Sequence, residues 1–67
     1  MRVKELRKKA GYTQKDMARF LNIDQSTYAN KENGRRKFEV DEACVLEEIF
    51  QVPVIEIFGR GKAKCRH

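Results

Sequence analysis

Gln25, Ser26, Thr27 and, one turn on, Asn30 have types and spacing that suit work at a hydrogen-bonding surface. An amide side chain carries a donor and an acceptor side by side. Gln25 and Asn30 can therefore each pair with a flat edge of complementary pattern, such as the one adenine shows in the DNA major groove. Ser26 donates or accepts as its partner requires. Gln14 stands at the start of an earlier helix candidate, where free backbone N–H groups and the helix dipole favour an anion such as a phosphate. Three successive cations, Arg35, Arg36 and Lys37, follow Asn33 and Gly34 and add attraction for a polyanion.

Other chemistries are poorly supplied. The single histidine is His67, the last residue, where nothing fixes its tautomer. There is no Gly-rich phosphate loop, no nucleophile elbow and no second histidine for a triad, so catalysis is not expected. Cys44, Cys65 and His67 are three residues without a Cys-x-x-Cys pair, against the four ligands a structural zinc site usually takes. Cys44 reads as a buried apolar thiol and Cys65 as a tail thiol. No metal and no cofactor is expected.

These side chains must be positioned by one small domain of 67 residues. The longest apolar runs are four residues, such as 43–46, against the roughly 20 a membrane span requires. Residues 1–11 show no apolar signal segment, so a cytoplasmic location is expected. Net charge is +7 over residues 1–38, −6 over 39–58 and +4 over 59–67. A basic part followed by an acidic one suits a molecule with one face turned to a polyanion and another turned away.

The hydrophobic spacing predicts five helices and no strand. Val3, Leu6 and Ala10 share one face of a first helix over about Arg2 to Lys9, stopped by Gly11. Thr13 reads as the N-cap of a second helix, with Asp16 as its reciprocal capping acid. Met17, Ala18 and Leu21 form the apolar face of that helix. Asn22 and Ile23 make a tight turn, with Ile23 plugging the angle between helices, and Asp24 reads as the next N-cap. The third helix runs from Gln25 to Lys31 or Glu32, with Tyr28 as its only large core residue. A fourth helix carries Val40, Ala43, Cys44, Leu46, Ile49 and Phe50, and Pro53 separates it from a short fifth, Val54 to Phe58. The domain is read as residues 1–58, with the two-helix unit at 14–33 and a basic, disordered tail at 59–67.

Thr13-Gln14-Lys15-Asp16-Met17-Ala18, then Leu21-Asn22-Ile23, Gln25-Ser26-Thr27-Tyr28 and Glu32-Asn33-Gly34-Arg35-Arg36-Lys37 together resemble the phage-repressor and Cro-like helix-turn-helix family. The likeness covers roughly residues 2–58. It implies an all-α, five-helix, lambda-repressor-like fold with the third helix as the recognition helix. Carried over by position, Gln25, Ser26, Ala29 and Asn30 fall on the base-reading side. Gln14 matches a phosphate-clamping glutamine. Asn33, Arg36 and Lys37 match positions that follow the phosphates, and Thr13, Thr27 and Arg35 complete that set. Arg7 and Glu32 match a pair tying the first helix to the third, with Arg7 near a phosphate.

Four positions depart from the family pattern. Lys31 replaces an apolar or aromatic residue, so a looser corner or a phosphate contact is expected there. Phe38 replaces a common proline and leaves the path of the loop open. Asp24 puts an acid beside the DNA, and Glu47 takes a position that is often small and apolar.

The resemblance implies a sequence-specific transcriptional regulator, read as a repressor, that binds double-stranded DNA as a homodimer on a palindromic operator. One such domain reads too few base pairs to single out a site, because each base pair contributes only about 1–3 kcal/mol of discrimination. Two half-sites about 34 Å apart answer that need. Val52, Val54, Ile55, Ile57 and Phe58 exceed what one short helix can bury, and Val54, Ile55 and Phe58 are the expected dimer surface. No small-molecule ligand is expected. The alternatives are an antitoxin-like DNA-binding subunit and a protein-bridging adaptor on the same fold.

Overall fold

The computed structural model describes residues 1–59, and within them every regular element is helical: α1 (Val3–Ala10), α2 (Gln14–Leu21), α3 (Gln25–Glu32), α4 (Val40–Phe50) and α5 (Val54–Phe58). Each boundary has a local cause. Gly11 closes α1 at φ +85°, a left-handed conformation that glycine adopts without steric cost. At the start of α2 the capping box forms as expected: Thr13 Oγ1 accepts from the Asp16 N–H, and an Asp16 carboxylate oxygen accepts from the Thr13 N–H, both at 3.0 Å. Asn22 ends α2 in the left-handed region, its N–H donating to the Arg19 carbonyl at 3.1 Å. The next residue, Ile23, packs on the core in the angle between α2 and α3.

The fully buried residues Val3, Met17, Tyr28, Leu46 and Ile57 come one from each helix. No helix is buried all round, so the fold depends on five faces meeting at once. Phe38 extends this core into the loop before α4. Its ring lies edge-on to Tyr28, centroids 6.1 Å apart, and tilted against Phe58 at 5.7 Å. Aromatic pairs of this kind contribute about 0.5–1.5 kcal/mol beyond burial. Phe38 thus fixes the path of the loop by packing. Glu47 has a local task too: its carboxylate accepts from the Val54 N–H at 3.2 Å, satisfying a donor in the first turn of α5. The Arg2 N–H donates to the Ile57 carbonyl at 2.7 Å and joins the chain's start to α5.

Several expectations are corrected. Ala10 is exposed, one helical turn past the buried Leu6 and Arg7. Asp24 occupies the N-cap position of α3, yet its side chain makes no capping hydrogen bond. Val54 is only 5 % exposed and Ile57 is fully buried, so the inward side of α5 takes both. That removes Val54 from the expected dimer surface; Ile55 stays exposed and Phe58 half-buried. Cys44 is half-buried and is not a free thiol. No helix among the described residues is long and apolar enough to cross a membrane. The expectations for Cys65, His67 and the tail cations Arg60, Lys62, Lys64 and Arg66 lie outside the described residues.

Candidate nucleic-acid interface

The candidate surface begins at the bare end of α3. Gln25 and Ser26 are exposed, whereas Thr27, Ala29 and Asn30 are half-buried. Among the described residues, no side-chain hydrogen bond engages Gln25, Ser26 or Asn30. Their donors and acceptors are therefore free to meet a partner. Tyr28, which faces inward between them, is fully buried as expected.

The opposite end of α3 is anchored by Glu32, which is 6 % exposed. One of its carboxylate oxygens accepts from Arg7 Nε at 2.7 Å and from the Tyr28 hydroxyl at 2.9 Å. The other accepts from Gln14 Nε2 at 2.9 Å. Burial pushes the Glu32 pKa up, but the hydrogen bonds from Arg7, Gln14 and Tyr28 outweigh it and hold the carboxyl below its ordinary value. Burial first, and the bond to Glu32 second, push the Tyr28 phenol well above its ordinary value. A single carboxylate thus gathers side chains of α1, α2 and α3.

This arrangement alters the expected roles of two residues. Arg7 is 8 % exposed, and its Nη1 also donates to the Tyr12 carbonyl at 2.9 Å. It is the scaffold half of its expected role, with little surface left for a phosphate. Gln14 is half-buried, and Glu32 fixes its amide in one direction. One amide N–H goes to the carboxylate and the second remains available. Thr13 is exposed, but its N–H and hydroxyl oxygen both serve the capping box. The bond from the Thr13 N–H first, and the Thr13 hydroxyl second, hold the Asp16 carboxyl below its ordinary value.

After Asn33 the chain turns at Gly34, φ +85°. The N–H groups of Arg35 and Arg36 then donate to the Asn30 carbonyl at 2.9 and 3.3 Å. The basic loop is therefore bonded to the very residue expected to read a base. Asn33, Arg35, Arg36 and Lys37 are all exposed.

Sequence reasoning missed the part played by Lys31. It is 7 % exposed, and its Nζ donates to a Glu42 carboxylate oxygen at 2.5 Å. The corner is therefore tied rather than loose, with the Lys31 ammonium engaged by Glu42. The available signal was a lone cation at an apolar position of α3 and the dense acids opening α4. A shallow groove of about 470 Å³ lies beyond the loop, lined among others by Met1, Arg36, Phe38, Val40 and Phe58.

The helix-turn-helix family pattern matches residues 3–57. Two curated relatives from Bacillus subtilis are HTH-type transcriptional regulators. AnsR is 36 % identical over 63 residues, covering 94 % of this chain and 54 % of AnsR. ImmR is 37 % identical over 66 residues, covering 98 % of this chain and 52 % of ImmR. The chain spans about half the length of these two relatives. No solved structure matches it.

Proposed function

The chain belongs to the helix-turn-helix family, and from that premise we propose that it is a sequence-specific DNA-binding regulator of transcription, acting as a repressor. The observation that carries this reading is the contrast along α3. Gln25, Ser26 and Asn30 carry unengaged polar groups, the loop bonded to the Asn30 carbonyl exposes three cations, and the inward side of the helix is locked into the core. A helix with its side chains is about as wide as the major groove, roughly 12 Å. Gln25, Ser26, Ala29 and Asn30 would meet base edges. Thr13, Gln14, Thr27, Asn33, Arg35, Arg36 and Lys37 would meet phosphates, which set register and supply most of the salt-dependent affinity.

The reading includes a homodimer on a palindromic site. Ile55 and Val40 are each 55 % exposed, and half-buried Phe58 lies on the same side of the molecule as Val40, around the shallow groove. These apolar groups support a self-complementary contact through α5.

Selection of binding sites from a random duplex library, followed by titration over several salt concentrations, tests the proposal. A two-fold symmetric consensus whose affinity falls steeply with salt is the expected result. Failure of any sequence to enrich would sink it. For the dimer, Ile55→Glu should sediment as a monomer and bind the selected site much more weakly; an unchanged sedimentation mass would remove this face from the assembly.

A further inference from the structure

The ion pair between Lys31 and Glu42 belongs to neither the base-reading face nor the hydrophobic core. Both side chains are nearly buried, with 8 % and 12 % of their surfaces exposed. The Glu42 oxygen that receives Lys31 Nζ also accepts from the Glu39 N–H at 2.8 Å. One atom therefore holds the last turn of α3, the first turn of α4 and the residue at which the intervening loop ends.

That loop contains Arg35, Arg36 and Lys37. Its start is fixed by the two N–H bonds to the Asn30 carbonyl, and its far side by the ring of Phe38 between Tyr28 and Phe58. The remaining constraint, the separation of α3 from α4, comes from Lys31 and Glu42. A charge so placed cannot reach a phosphate itself, and burying it is costly unless it is paired. We infer that Lys31 and Glu42 are a positioning pair, which aims the basic loop at the DNA backbone by clamping the two helices that flank it. The inference rests on the DNA-binding reading and adds residues that touch no nucleic acid.

Replacing Lys31 alone would strand the Glu42 charge and unfold the corner for trivial reasons. The informative variant is the double Lys31→Met, Glu42→Gln. It removes both charges, and the Gln oxygen still accepts from the Glu39 N–H. Its affinity for the selected site and for random duplex should fall together, by about tenfold, with their ratio kept, because only phosphate contacts are displaced. In the free protein, the Arg35 and Arg36 amide protons should exchange about tenfold faster, while those in the middle of α2 keep their rates. Lys31→Arg, which keeps a cation on Glu42, should restore both. Unchanged affinity and exchange in the double variant, or a loss confined to the selected site, would overturn the assignment. If the unaltered protein binds neither duplex, it is the DNA reading that fails. The exchange rates then still decide whether the pair holds the loop.

Discussion

The two ends of α3 are held in opposite ways. At its N-terminal end Asp24 makes no side-chain capping bond, and Gln25 and Ser26 stand in solvent. Toward its C-terminal end Tyr28, Lys31 and Glu32 are buried; Glu32 is bonded to Arg7 of α1, Gln14 of α2 and Tyr28 of its own helix, and Lys31 to Glu42 of α4. A helix this short is not stable alone, and Tyr28 is its only large buried apolar residue. Charged and polar bonds at one end therefore anchor it, and that leaves the other end free of structural duty. On the proposed reading, stability and recognition are divided along a single helix, so each should be changeable with little effect on the other.

The largest expected effect is at the anchored end. Glu32→Ala leaves the Arg7 guanidinium buried without its partner, which should cost about 3–5 kcal/mol in urea unfolding. A loss below about 1 kcal/mol, the worth of an exposed pair, would show that the anchor lies elsewhere. The same carboxylate links stability to pH. Its folded pKa lies below the ordinary value of 4.5. Its contribution is therefore complete above that value and is lost as the pH falls through the lower folded value. The difference between the unaltered protein and Glu32→Ala should accordingly narrow on acidification.

At the bare end the pattern reverses. Gln25→Ala should leave stability within about 0.5 kcal/mol and cost about 1–3 kcal/mol of discrimination at one base pair. Lys37→Ala should weaken all sequences alike and lower the salt slope by about one. Equal losses on selected and random DNA for both variants would erase the distinction between base and phosphate contacts. The smallest effect is expected at Thr13, whose N–H and hydroxyl oxygen are engaged in the capping box. Thr13→Ala removes a cap worth about 1 kcal/mol of stability, and base preference should not change. A shifted preference would move Thr13 to the reading side.

The helices were legible because their signals are local. Gly11, Thr13 with Asp16, Asn22 and Pro53 each act within one turn, and all mark boundaries in the structure. The placement of Tyr28 in the core was legible too, since its helix offers no other large apolar residue. What escaped were bonds between residues far apart in the chain. Gln14 reaches Glu32, and Lys31 reaches Glu42, only after α2, α3 and α4 have packed. No spacing rule within a helix connects such positions. The inward turn of Val54 had the same origin. In a five-residue helix of mostly apolar residues, periodicity alone does not tell which side the rest of the fold will cover.

The bond between the Arg2 N–H and the Ile57 carbonyl joins nearly the two ends of the described chain. Loop-closure entropy rises only slowly with length, so joining ends this distant costs little more than a mid-range contact. It is repaid, however, only when the helices between them are already in place. The bond is then expected to close late in folding, as a latch set after α2 and α3 have met across their short turn. Kinetic φ-values near zero at Val3 and Ile57, with larger ones at Met17 and Tyr28, would be the mark of that order. The part of the chain that presents the recognition face would then be the part that assembles first.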